Sequence, residues 1–267
     1  VDRAAFYRSL PFDVTPVTDD SPFFFLQHRW KDLSPRALFQ PGNALVEIPG
    51  KLLLLLVLAI SLGLSVVLLL LPLFLQQRSG LNLPGSFRLL LYFFGVGVAF
   101  MIIEILLMQE FSLFLGHPVY AISIVLFSLL IFSGAGSLAS PVLIGDSPRR
   151  LGAALTILAG VVVASFALYP SLFAAFLGRP FPIRALVALC SIFPSGFLMG
   201  IPFPAGIRQA SLRVPRIIPW AWAVNGFASV ASSSLCVLLA MELGFSSAAF
   251  LAGACYLACA GVFLVRS

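Results

Sequence analysis

The sequence predicts an all-α, polytopic membrane protein of about seven transmembrane helices, and three observations carry that reading. Of its 267 residues, 60% are hydrophobic and only 10% charged, whereas soluble domains carry about 25% charge. The apolar residues fall in runs of about twenty, the length that crosses a ~30 Å hydrocarbon layer as a helix. Gly, Pro and Arg gather between the runs, as they do in the loops of membrane proteins. The formal charge of +6 is spread over those loops. It forms no basic tract interleaved with aromatics, so nucleic acid is not an expected partner; the lipid bilayer is.

Two parts are expected: a polar tail over 1–50 and a helical transmembrane domain over 51–267. The tail is rich in Pro, Asp and aromatic residues. Asp19-Asp20-Ser21-Pro22 followed by Phe23-Phe24-Phe25 reads as a turn docking an aromatic cluster onto a neighbour, and Gln40-Pro41-Gly42-Asn43 as a second turn. The expected spans are 51–75, 89–108, 119–139, 151–176, 183–201, 220–242 and 246–265. Pro72 near the end of the first span is tolerable at that depth. The fifth contains Pro194 and runs into Met199-Gly200-Ile201-Pro202-Phe203-Pro204, which breaks the helix. Broken backbone at membrane depth is tolerated where it packs in protein or lines a cavity.

Polar groups inside these spans are the functional candidates, because an ionisable side chain in hydrocarbon is costly and normally faces a partner or a cavity. Glu104 shares one face of the second span with Gly97, Met101 and Met108. It reads as a proton, cation or amine site, or as a carboxylate bonded to a neighbouring helix. Asn225, Ser229, Ser232 and Cys236 form a polar and small stripe on the sixth span. That stripe is either hydrogen-bonded helix packing or one wall of a cavity. Gln109 joins Glu104 and Asn225 as a candidate intramembrane polar site. His117, between Gly116 and Pro118, reads as a cap or interface residue. Glu242 reads as interfacial. Ser133-Gly134-Ala135-Gly136-Ser137 and the pair Gly196 and Gly200 allow close helix approach.

The four cysteines, Cys190, Cys236, Cys255 and Cys259, lie in apolar runs and read as small buried thiols rather than a disulfide framework or metal site. A short repeat is also visible. Phe114-Leu115-Gly116-His117-Pro118 recurs as Phe176-Leu177-Gly178-Arg179-Pro180, and Ser133-Gly134 as Ser195-Gly196, at the same offset of 62. No complete nucleophile–base set, P-loop, HExxH or dinucleotide fingerprint is present, so no catalytic residue is assigned and any enzymatic activity is left open. Counted over short loops, arginines place the tail outside the cell; counted over the whole tail, the two sides tie.

Three segments, GVGVAFMIIEILLMQEFSLFLGHPVYAISIVLFSLLIFSGAGS, MGIPFPAGIR and PWAWAVNGFASV, together resemble the membrane portion of bacterial spermidine-synthase-like multi-span proteins. Thr18-Asp19-Asp20-Ser21-Pro22-Phe23 resembles that family's TDDRPF-like junction, with Ser21 in place of the usual Arg. The resemblance runs over roughly 15–260. It implies a bacterial inner-membrane protein whose soluble domain, related to polyamine aminopropyltransferases and S-adenosylmethionine-dependent methyltransferases, precedes Val1. S-adenosylmethionine or its decarboxylated form would belong to that domain, with no cofactor in this chain. The membrane part would anchor the domain and pass an amine or lipid-borne substrate. The alternatives are a stand-alone transporter or channel for a small cationic solute and a purely structural anchor. His117 and Arg208 join Glu104, Gln109 and Asn225 as matching positions, without an assigned role. A cytosolic cofactor would place the tail in the cytoplasm.

Overall fold

The computed structural model describes residues 50–81 and 83–264, together with Thr18, Asp20 and Pro22. The Phe23–Phe25 cluster and the turn at Gln40–Asn43 lie outside the described residues.

Every element among the described residues is helical. The first, α1 (Gly50–Gln76), has a mean hydropathy of 3.0. It changes to a π-helical turn over Val66–Leu70, where Leu71 N–H reaches back to the Val66 carbonyl. Pro72, which lacks an N–H, begins the next turn, and the wider spacing re-satisfies the backbone around it. After a short 3-10 turn come α2 (Ser86–Leu115), α3 (Pro118–Leu143), α4 (Pro148–Phe176) and α5 (Phe181–Met199). The boundaries follow local chemistry. Gly116, at φ +80, ends α2; His117 Nδ1 accepts from Val119 N–H and Pro118 opens α3. Ser147 accepts from Arg150 N–H and Pro148 opens α4. These are side-chain caps followed by proline at the first helical position.

Pro194 lies inside α5 without ending it. The break comes at Gly200–Ile201, after which the short α6 (Pro202–Arg213) begins. This is where the sequence places the broken segment, but α6 is a separate helix that the sequence reading does not resolve.

The last stretch, Ile218–Leu264, divides at Gly244, whose φ of 83° and ψ of 165° are non-helical. We call its arms α7 (218–243) and α8 (245–264). Asn225 meets Phe93 and Cys236 meets Ile102, so α7 runs in the same sense as α2. Cys259 meets Tyr92, so α8 runs back the other way. Gly244 is therefore the tip of a helical hairpin. Six helical stretches are long and apolar enough to cross a membrane. With the last crossing twice, the chain makes the seven crossings the sequence predicts.

The hairpin tip is held by the tail. Phe245 N–H donates to the Asp20 carbonyl at 2.9 Å. Ser246 N–H and Oγ both donate to Asp20 Oδ1 at 2.8 Å. Asp20 thus caps α8 from a distant segment, satisfying donors that a helix start leaves open. A β-carbon at Gly244 would strike the Asp20 carboxylate, and its positive φ would be strained besides. Beside it, Lys51 Nζ pairs with Glu242 Oε1 at 2.6 Å. Glu242 is thus tied to the start of α1.

α2 is the axis of the bundle, packed most extensively against α7 and α8. Its Tyr92, Phe93, Ile102, Ile103, Leu106 and Leu107 are fully buried. α3 and α5 form a tight pair. A β-carbon at Gly136 would collide with the Phe197 carbonyl, and one at Gly200 with that of Ser133. The small residues at both positions are what let the backbones touch. Outward faces are apolar, with Leu138 and Val142 among the most exposed side chains. A lipid environment is the setting in which such surfaces are stable.

The topology sorts the charges. Arg78, Arg88, Arg149, Arg150, Arg208, Arg213 and Arg216 gather at one end with Asp146. Asp20, Lys51, Glu110, Arg179, Arg184 and Glu242 gather at the other. We call these the arginine end and the hairpin end.

Candidate functional site

Three segments, within 95–137, 199–208 and 219–230, converge on one cleft. Its volume is about 410 Å³. Gly97 and Met101 of α2, Ser133, Gly134 and Ser137 of α3, Gly200 and Pro204 at the α5–α6 break, and Asn225 and Ser229 of α7 all line it. The chemistry of the wall explains the residue types. Glycines and serines keep the helices' side chains short enough to leave a space. At the Gly200–Ile201 break the last turn tightens, with Gly200 N–H donating to the Phe197 carbonyl and Ile201 N–H to that of Leu198. Asn225 supplies the amide. Its Nδ2 donates to the Phe93 carbonyl at 2.9 Å, and Gly97 is small because a β-carbon there would meet Asn225. Asn225 therefore serves as packing and as cavity wall together. Ser229 of its stripe lines the cleft beside it, and the other two members turn inward: Ser232 is buried and donates to Ala228, and Cys236 Sγ donates weakly to Ile102.

Glu104 is half-buried on the α2 face that bears Gly97, Met101 and Met108. Its carboxylate makes no hydrogen bond or ion pair among the described residues. Towards the hairpin end, the same region of α2 lines a second cleft of about 400 Å³ with Ile105, Met108, Gln109 and Ser112. Along α2, Glu104 falls between the residues that line the first cleft with Asn225 and those that line the second with Gln109, and itself lines neither. Gln109 is twelve residues beyond Gly97 on α2, about 18 Å along the axis. The three candidate residues do not form one constellation. They mark successive levels along α2.

His117 is exposed and caps α3. Arg208 lies on exposed α6, where its Nε pairs with Asp146 Oδ1 at 2.5 Å. That hydrogen bond, with the Arg208 charge, holds the Asp146 carboxyl below its usual range. Both residues thus sit away from these clefts. The repeat is not matched in local geometry: Gly116 has positive φ and Gly178 does not. All four cysteines are free thiols; Cys236 and Cys259 are buried, but Cys190 is exposed on the outer surface, contrary to the expectation from its apolar run.

Sequence reasoning misses a third cleft of about 430 Å³ at the hairpin end. Asp20, Glu110, Phe114, Phe166 and Phe173 line it. In sequence Glu110 only follows Gln109 near the end of α2, and Asp20 is only part of a turn, so neither stands out as a site residue. The aromatic spacing along α4 at Phe166, Tyr169 and Phe173 is the signal that marks one face. Comparison of the chain with protein-family models, characterised proteins and solved structures finds no match.

Proposed function

We propose that this chain is an amine-handling membrane domain, the membrane portion of a spermidine-synthase-like protein, in which a groove along α2 passes a small cationic or lipid-borne substrate. The observation that carries the reading is Glu104: a half-buried carboxylate well inside a membrane helix, without a partner among the described residues, at a level between those of two clefts. Holding an unpaired carboxylate there costs stability, and such residues mark substrate or ion pathways. The three segments that resemble the family meet around the adjoining cleft, which supports the family reading.

A stand-alone transporter is the second reading, and charge sorting favours it. Counted over the described loops alone, the arginine end holds seven arginines, and the positive-inside rule then turns that end to the cytoplasm. Asp20 and the tail then lie outside, opposite to where a soluble domain using a cytosolic cofactor would sit. Both readings predict saturable uptake of a radiolabelled diamine into proteoliposomes holding this chain alone, reduced to background by Glu104→Gln. Uptake unchanged by that substitution would remove the passage. Absence of any saturable uptake, with the chain still needed to hold an upstream domain at the membrane, would leave an anchor.

A further inference from the structure

At the arginine end, the corner where α1 finishes is built from three short segments tied to one another. The first is the 3-10 turn Arg78–Gly80 that follows α1. The second is the start of α2, residues 86–88. The third is the 3-10 turn Pro215–Ile217 that leads into α7. Ser86 Oγ donates to the Gly80 carbonyl at 2.7 Å, which fixes the first turn to α2. Trp220 Nε1 donates to the Gln77 carbonyl at 2.8 Å, which fixes it to α7. Gly80 is buried with its backbone against the Arg216 carbonyl, so close that a β-carbon would collide with it. Each segment carries one arginine, Arg78, Arg88 and Arg216, and all three are exposed.

No carboxylate meets any of the three among the described residues. Asp146, the described acid of this end, is engaged by Arg208 on α6. At the hairpin end, by contrast, Lys51 has Glu242. Three like charges on linked backbone raise a positive local potential that draws anions. Arg78 is also held in place: its Nε donates to the Phe74 carbonyl at 2.8 Å, and its guanidinium lies 4.2 Å over the Phe74 ring. The terminal nitrogens remain as a rigid fork, the geometry that matches phosphate oxygens.

The surface beside this corner identifies what carries the anion. Leu71, Phe74 and Leu75 at the end of α1, Phe87 next to Arg88, and Trp222 in the first turns of α7 are all exposed. Aromatic side chains beside cations at helix ends sit at headgroup depth, with their apolar bodies in the acyl region and the charges at the phosphate level. A free anion would leave the apolar rim unused, whereas an anionic phospholipid satisfies both parts. We infer that Arg78, Arg88 and Arg216 hold the phosphate headgroup of an anionic phospholipid whose acyl chains lie along the exposed end of α1. The site shares no residue with the clefts along α2, so it stands apart from passage through the bundle.

The test is native mass spectrometry of the full chain in detergent, titrated with dioleoyl phosphatidylglycerol. Dioleoyl phosphatidylcholine is the neutral lipid and inorganic phosphate the soluble competitor. The first phosphatidylglycerol should bind saturably and at least about tenfold tighter than phosphatidylcholine, and excess inorganic phosphate should not displace it. Arg78→Gln, Arg88→Gln and Arg216→Gln should each weaken it about fivefold, the worth of one basic side chain at an anionic surface, with phosphatidylcholine binding unchanged. Arg150→Gln, at the start of α4 on the same end, should leave the affinity at its parent value. Equal affinity for the two lipids, displacement by inorganic phosphate, or parent affinity in all three variants would overturn the site. So would a loss in Arg150→Gln as large as theirs, which would show a diffuse charge effect of the whole end. Should a variant fail to fold, the parent's lipid preference and its response to phosphate still decide.

Discussion

The two faces of α2 are built on opposite rules. One face, with Tyr92, Phe93, Ile103 and Leu107, is sealed against neighbouring helices and has no exposed surface. The other carries Gly97, Met101, Glu104 and Met108 and opens into clefts. On the sealed face the polar groups of Tyr92 are matched: its Oη donates to the Pro202 carbonyl at 2.6 Å, and its carbonyl accepts from Cys259 Sγ. On the open face a carboxylate has no partner among the described residues. Packing can explain the first face. It offers no reason to keep Glu104 on the second, and the difference separates what holds the bundle together from what it is for.

Perturbing the packed contacts should cost the most. Gly136→Leu drives a side chain into the Phe197 carbonyl at the α3–α5 contact. We expect a loss at or above the ~1–3 kcal/mol typical of overpacking, seen as aggregation or a much lower unfolding temperature in detergent. An unfolding temperature like the parent's would mean that α3 and α5 are not backbone-close. Tyr92→Phe removes one buried hydrogen bond to Pro202 and should cost about 1 kcal/mol, with α6 exchanging its amide protons faster. No change in exchange would show that α6 is held by Gly206 packing on the ring alone.

The smallest effect belongs to the exposed Arg208–Asp146 pair. The folded state lowers the Asp146 pKa, so the pair's contribution is present above the unfolded value of about 3.9 and fades as pH falls through the lowered folded value. Asp146→Asn should therefore narrow the gap in thermal stability between pH 6 and pH 3 only slightly. A large change would mean that this pair supports more than a surface turn.

How legible was this in the sequence? Hydropathy sets most of the helices within a few residues of their positions, because membrane crossing imposes a length that apolar runs display directly; the second, expected at 89–108, runs on to Leu115 past Gln109 and Glu110. The first span, expected at 51–75, is Gly50–Gln76; the fourth, expected at 151–176, is Pro148–Phe176. Glu104 and Asn225 stand out because polarity inside an apolar run is a local signal. Contacts between distant segments leave no such trace. Asp20 capping α8 joins residues 226 apart, and neither the DDSP turn nor Gly244 alone implies the other. The hairpin-end cleft is hidden for the same reason, since its acids and rings come from three segments. Gln109 illustrates the converse: it shares a helix with Glu104, yet helical rise carries it into a separate cleft.

The account rests on the open face of α2 being an aqueous cation path, and labelling tests that directly. In a cysteine-free background, Met101→Cys would be reacted with a cationic methanethiosulfonate reagent in proteoliposomes, with Leu138→Cys on the exposed outer surface as the control. The account predicts fast reaction at position 101, slowed by added diamine and by Glu104→Gln, and slow reaction at 138. Reaction at 101 no faster than at 138, and indifferent to diamine, would contradict it and leave the groove a lipid-filled seam between packed helices.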